Sequence, residues 1–264
     1  MQAIGNFNDF FHSIYRYREY LKQSVSRDLK KKYKRSVLGY VWSMLQPLLM
    51  MSILAVVFSE IMGTRTGDYS VFIFCGMLPW QYFSSTVNGS LHSISNNVKI
   101  ISQVPVPKYL FSLSNAVSGF ANFFLSLIPL LLIMLAIGHP LHMTMFALPL
   151  VLLPLFIVTM GVSLIVSASN VFFEDTQHLT GIVLQAAYFL SPILYARDRL
   201  PDWLEQYIGI NPMVGVIESM RLIVYEGALP SFEDYMLNLF GCCIVLVIGL
   251  FIFKKSDDKF IYFI

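Results

Sequence analysis

The sequence predicts an all-α membrane protein with six transmembrane helices, an N-terminal amphipathic interface helix, and a short external helical hairpin between spans five and six. Three observations carry this. The chain is 56% hydrophobic and only 13% charged, with a mean hydropathy of +0.64, whereas soluble domains carry about 25% charged residues. Five stretches (36–59, 69–98, 109–173, 176–196 and 235–253) contain no Asp, Glu, Lys or Arg. Their apolar runs are continuous and do not alternate in segments of about ten residues, which selects helices over barrel strands.

Residues 1–37 form the cytoplasmic interface helix in this reading. Phe10, Ile14, Tyr17, Leu21, Val25, Leu29 and Tyr33 recur every three or four positions, and Lys and Arg fill the other faces. Such a helix lies along a membrane surface with its cations near anionic lipid. The pattern also fits a helix packed on protein. These residues are polar and basic, the reverse of a cleavable leader, so none is expected.

Residues 38–264 make up the transmembrane domain. A span needs roughly 20 apolar residues, which places spans at about 38–60, 70–95, 109–137, 143–168, 178–196 and 235–253. The long run 109–173 divides at the turn signal Gly138-His139-Pro140.

The second span carries a Trp near mid-depth. Trp80, just after Pro79, lies roughly 15 Å from the span's start at 1.5 Å per residue. Tryptophan prefers the interface, so Trp80 is expected to face protein or a cavity. Beyond it Gln81, Ser85, Asn88, His92 and Ser95 form one helical stripe, matched on the third span by Asn115, Ser118, Asn122 and Ser126. Such stripes line a wet pathway or join helices by hydrogen bonds; both readings stay open here. His92 has no partner at metal-ligand spacing, and no metal site is expected.

Residues 197–234 are the one sizeable external segment. Two short helices split near Asn211-Pro212 are expected, with Glu218 and Arg221 spaced to pair on a helix. Such a hairpin, about 200–228, fits a gate at the mouth of a pathway or a capped loop. Cys75, Cys242 and Cys243 lie in predicted spans without disulfide or metal spacing and read as small buried hydrophobes.

Orientation follows from the cations. With six spans both termini share one side, and that side holds 14 Lys and Arg against four on the other. The positive-inside rule places both termini in the cytoplasm. The net charge of +2 is no argument for a nucleic-acid partner. The loop SNVFFEDTQHL (169–179) is then cytoplasmic, acidic and free of Lys and Arg. It reads as a solvated connector or as a surface for a partner other than anionic lipid.

Several chemistries are absent from the sequence. There is no G-x-x-x-x-G-K-[ST] phosphate loop. Apart from Glu60 at an end, no span holds an Asp or Glu, although ion-coupled carriers usually bury such groups. No nucleophile–base pair gathers, so no catalytic residue is assigned. Uphill transport would need energy from another subunit.

Several segments then carry a family likeness. VLGYVWSMLQP (37–47), GMLPWQYF (76–83), ISQVPVPKYLF (101–111), NVFFEDTQHLTGIVLQAAYFLSPILY (170–195), Leu200-Pro201 and INPM (210–213) follow in order. In this order the chain resembles the membrane subunits of type-2 ATP-binding-cassette exporters, above all those moving O-antigen, capsule and teichoic-acid polysaccharides. Glu174 stands where many members carry a basic residue. The resemblance implies a homodimer at a bacterial inner membrane, with two separate ATPase subunits that hold ATP and Mg; this chain itself carries no cofactor. It implies ATPase docking through about 96–107 (Asn97, Val98, Lys99, Ile100) and 170–178 (Asn170, Phe172, Phe173, Glu174, Asp175). Phe172 and Phe173 would anchor in a cleft of the ATPase, with Glu174 and Asp175 facing its basic groups.

A glycan pathway should mix aromatic rings, which meet sugar C–H faces, with polar groups for the hydroxyls. The candidates are Trp42, Trp80, Tyr82, Phe83, Asn88, Asn122, Gln185, Tyr188 and Tyr195, with Gln185, Tyr188, Pro192 and Tyr195 on one helical face of span five. The family likeness makes the hairpin, with Asn211, Pro212, Glu218 and Arg221, an outer gate. Two rivals stand beside this reading. One is the same architecture exporting a drug, small lipid or peptide, favoured by a narrow apolar cleft. The other is a membrane-embedded enzyme or assembly factor, favoured by a buried titrating cluster.

Overall fold

A computed structural model describes residues 15–33, 41, 42, 45, 48–50, 52, 53, 57, 66–104, 106–197 and 200–263. Most of the first predicted span, with Phe10 and Ile14 of the N-terminal helix, lies outside the described residues. Among the described residues the fold is helical, with ten α-helices and no strand. They are α1 (Arg18–Tyr33), α2 (Thr66–Leu91), α3 (Val98–Gln103), α4 (Tyr109–Ile137) and α5 (Leu148–Phe172). Then come α6 (Thr176–Leu190), α7 (Asp202–Ile208), α8 (Pro212–Arg221), α9 (Phe232–Asp257) and α10 (Phe260–Phe263). Short 3-10 helices precede α3 and α5, and a π-helix (Leu222–Glu226) follows α8.

Among the described residues three helices are long and apolar enough to cross a membrane: Tyr109–Ile137, Met143–Phe172 and Phe232–Asp257. Their ends have local causes. α4 stops at Gly138, whose φ of 71° reaches the left-handed region that a glycine tolerates. Before α9 the Ser231 side chain accepts the Asp234 amide, and acids in the first turn with Lys254 and Lys255 in the last complement the helix dipole.

The fifth predicted span differs from expectation. α6 ends at Leu190, and Ser191 is extended with ψ 141°. Pro192 causes the break: it offers no amide and pushes the residue before it out of the helical region. Pro192 and Tyr195 therefore do not continue the helical face of Gln185 and Tyr188.

α5 is the central helix, packed by α9, α2, α4, α6 and α8. It crosses α9 at Gly161 and Gly249, where a Cβ on Gly249 would lie 2.4 Å from the Gly161 carbonyl oxygen. Backbones approach this closely only where side chains are absent. Two hydrophobic clusters result. One, around Val71, Phe74, Leu155 and Ile217, fills the end where α8 lies. The second, around Ile94, Tyr109, Leu164 and Phe260, fills the end where α3 lies.

α1 turns one face to protein. Tyr17, Tyr20 and Leu21 pack on the second cluster, and Tyr20 meets Phe111 edge-on at 6.0 Å. Packing on protein, the alternative left open by the sequence, describes this face.

Candidate functional site

The polar stripes of the second and third spans separate into two kinds. On α4, Asn115 donates across to the Thr86 carbonyl (2.8 Å) and to Ser90 Oγ (3.0 Å). Ser93 in the turn after α2, Ser112 of α4 and Ser167 of α5 form a buried hydroxyl chain at 3.0 and 3.3 Å. Ser118 and Ser126 are buried and donate to carbonyls one turn back. These groups join or close helices.

On α2 the stripe is open instead. Ser85, Asn88 and His92 are exposed, with Gln81 and Ser84 half-buried beside them. The hydrogen bonds of Ser84, Ser85 and Asn88 run back to their own helix, to the carbonyls of Gln81, Tyr82 and Ser84. No neighbouring helix takes up Ser84, Ser85 or Asn88, and His92, just past the end of α2, meets the Asn170 amide of α5 through Nδ1 at 3.5 Å.

The aromatic candidates divide as well. Trp80 (6% exposed) and Phe83 pack together with centroids 5.4 Å apart, and Tyr188 of α6 meets Trp80 edge-on at 5.9 Å. This cluster sits at the head of the open stripe. Tyr82 points the other way: its hydroxyl donates to the Ala116 carbonyl and its ring stacks on Phe120 at 4.6 Å. It packs α2 on α4, as its place one residue round from Gln81 requires. Asn122 is half-buried and donates to the Ser118 carbonyl. Gln185 is exposed, Trp42 is 45% exposed, and the Tyr195 hydroxyl donates to the Phe189 carbonyl.

The docking candidates lie at one end of the bundle. Lys99 is exposed on α3, and Val98 and Ile100 are half-buried; Asn97 donates to the Ser93 carbonyl. Phe173 (71% exposed), Glu174 and Asp175 project from the turn between α5 and α6. Two neighbours do not. Asn170 is buried and donates to the Leu91 carbonyl at 3.1 Å, closing one of the open carbonyls at the end of α2. Phe172 packs on Phe260 and Phe263 of α10, at 5.7 and 5.0 Å.

At the opposite end, Asn211 caps α8: its side-chain oxygen accepts the Met213 amide, and its amide nitrogen donates to Ser191 Oγ. Pro212 opens α8, and its carbonyl accepts from Asn238 of α9 at 2.7 Å. The Glu218–Arg221 pairing does not form. Arg221 points into the core and donates to the Ile193 carbonyl at 2.8 Å. Glu218 faces the rim, where Arg197 bridges it and Glu205 at 3.2 and 2.9 Å. Burial raises the Glu218 carboxyl above its ordinary value, and Arg197 partly offsets the rise. Arg197, Tyr69 and Lys108 had no signal in the sequence, because their partners lie on other elements. Lys108 bonds the Asp257 carboxylate at 3.0 Å across 149 positions of chain.

Among the described residues no three His, Cys, Asp or Glu gather as a metal site. A cavity of about 370 Å³ near the end of α4 is lined by Leu, Met, Phe and Val with His142 as its polar member. It lacks the converging polar groups of a small-molecule site.

The profile of the ABC-2 type transporter family matches residues 19–225. The chain belongs to that family. The match covers α1 through most of the π-helix. Curated relatives agree over most of their length. The O-antigen export system permease protein RfbA of Klebsiella pneumoniae is 34% identical over 238 residues, 89% of this chain and 91% of that one. RfbA of Myxococcus xanthus is 32% identical over 94% of this chain and 96% of its own. The polysialic acid transport protein KpsM of Escherichia coli is 29% identical, over 88% and 91%. As an ABC-2 family member the chain is a transporter component, and its open polar face and two-ended bundle are read in that light.

Proposed function

We propose that this chain is the membrane subunit of an ATP-driven exporter of lipid-linked polysaccharide, of the O-antigen, capsule or teichoic-acid type, at a bacterial inner membrane. It crosses six times with both termini in the cytoplasm, and α1 rests at the cytoplasmic surface. Two copies form the conduit, and two separate ATPase subunits bind ATP and Mg below them. The relatives support the cargo class, since their names describe O-antigen export and polysialic acid transport.

One structural observation carries the reading: the open face of Gln81, Ser84, Ser85, Asn88 and His92 leading from the Trp80–Phe83–Tyr188 cluster. Polar side chains at membrane depth need a wet or polar neighbour. A glycan supplies one, with hydroxyls for the amides and C–H faces for the rings. α3 and the Phe173–Asp175 turn form the ATPase-facing surface. Closure of the ATPase dimer there tilts α4 and α5, which begin and end at that surface, and so biases a two-state bundle.

A deletion strain tests this. Surface polysaccharide should vanish while its lipid-linked form accumulates inside, and the chain supplied in trans should restore export. A normal glycan surface in the deletion strain would refute the proposal.

A further inference from the structure

The least expected group in the bundle is Arg221. It is 5% exposed, its guanidinium lies 3.6 Å from the centroid of the Phe72 ring, and its Nε has no hydrogen-bond partner. A cation so placed is costly and calls for a role. Its one backbone acceptor is the Ile193 carbonyl, inside the non-helical segment Ser191–Tyr195. The next carbonyl, Leu194, accepts from the Tyr69 hydroxyl of α2. Ser191, at the head of the segment, accepts from Asn211. Three side chains from α2, the turn before α8, and α8 itself thus hold five residues of broken backbone. Gly76 makes the seat: a Cβ there would stand 3.2 Å from the Ile193 oxygen and 3.3 Å from Arg221 Nη2.

We propose that Arg221 is a releasable pin. Donating to the Ile193 carbonyl, it clamps Ser191–Tyr195 against α2 and closes the outer mouth, and the contact must break for cargo to pass. This rests on reading the chain as an exporter whose outer end lies at α8. Irregular backbone at membrane depth survives only with its polar groups satisfied. The Ile193 and Leu194 carbonyls of this non-helical segment are satisfied by side chains, and a side-chain bond can be undone without unfolding a helix. The π-helix Leu222–Glu226, directly after Arg221, provides a wider turn of a kind frequent at functional sites. Arg221 is a positioning residue: it acts through the segment it holds.

Cys75, fully buried beside Gly76, is the built-in reporter. In a Cys242→Ala, Cys243→Ala background, the assembled transporter is treated with N-ethylmaleimide, with and without ATP trapping of its ATPase. Wild-type Cys75 should label slowly without nucleotide and faster in the trapped state. A hydrogen bond to a charged group holds the segment, so Arg221→Met should raise nucleotide-free labelling about tenfold or more. Gly76→Ala, which crowds the seat but keeps the charge, should act in the same direction. Tyr69→Phe should do so more weakly. Arg221→Lys, which keeps a cation and a donor, should retain most of the protection.

Should Arg221→Met fail to assemble, Gly76→Ala and Tyr69→Phe carry the test alone. Unchanged Cys75 labelling in those two assembled variants overturns the pin, as does an Arg221→Lys that labels like Arg221→Met. Wild-type labelling that ignores ATP trapping overturns its release, while export measured in cells still stands. Loss of the exporter reading with protection intact leaves a static clamp and overturns the pin's transport role.

Discussion

Asn170 and Phe172 lie in the segment that the family likeness assigns to ATPase docking, yet both side chains are engaged within the chain. Asn170 closes the end of α2, and Phe172 is clasped by Phe260 and Phe263. Phe173, Glu174 and Asp175 are what the turn offers outward. The two acids have a local reason as well: they stand at the start of α6, where negative charge complements the helix dipole. Glu174→Lys with Asp175→Lys should abolish co-purification of the ATPase and export while the chain still inserts. Unchanged ATPase binding on a pull-down would remove the docking assignment. Asn88 is exposed and bonds only its own helix. Asn88→Leu should therefore leave detergent thermostability within about 0.5 kcal/mol and still lower surface glycan severalfold in a complementation assay. Trp80 is unsuited to the same test by alanine, because removing a buried Trp costs about 3–5 kcal/mol in packing alone. The sequence named Tyr82 with Trp80, and two residues along a helix turn a side chain by about 200°. Only the structure shows which of them meets α4.

At the scale of elements, the two short helices meet at Asn211-Pro212 as their residues foretell, since an Asn cap before a Pro is a strong start signal. Their tie was not legible. The i to i+3 spacing suggested Glu218 with Arg221, but α8 buries one side of itself against α2, α5 and α9, which carries Arg221 inward and leaves Glu218 to Arg197. Glu218 adds a pH term. Its pKa in the folded protein is raised by burial above the ordinary 4.5. Its contribution to stability is then fully present below pH 4.5 and is lost as pH rises through the raised value. Glu218→Gln should thus be no less stable than wild type at neutral pH, despite breaking the contact with Arg197, and should flatten the rise in stability on acidification. Thermal melts across pH 4–8 would check it; a Gln variant that melts earlier at neutral pH contradicts the sign. α6 teaches the converse lesson. Its charge-free run extends to residue 196, but Pro192 ends the helix early, and hydropathy alone does not register a proline.

Across the whole molecule, the three most apolar helices among the described residues were readable from hydropathy within a few residues, because no charged residue interrupts their apolar runs. α2 is less apolar because of its own Gln, Ser and Asn, the residues that make it the candidate pathway wall. What hydropathy does not encode is the division into two cores, one at each end of α5. α5 and α9 bind the two together at the Gly161–Gly249 crossing. Gly249→Val should force these helices apart at a cost of about 1–3 kcal/mol or more. Lower thermostability of the purified protein together with lost export would show it; an unchanged melt would mean the crossing is looser than described. The central claim, a transport subunit driven by a separate ATPase, is tested most directly by purifying the tagged chain from its native host in mild detergent and weighing the intact complex. The account predicts two copies of this 30.1 kDa chain with two copies of a soluble subunit that carries a phosphate-loop sequence. A complex of this chain that contains no nucleotide-binding subunit would contradict it.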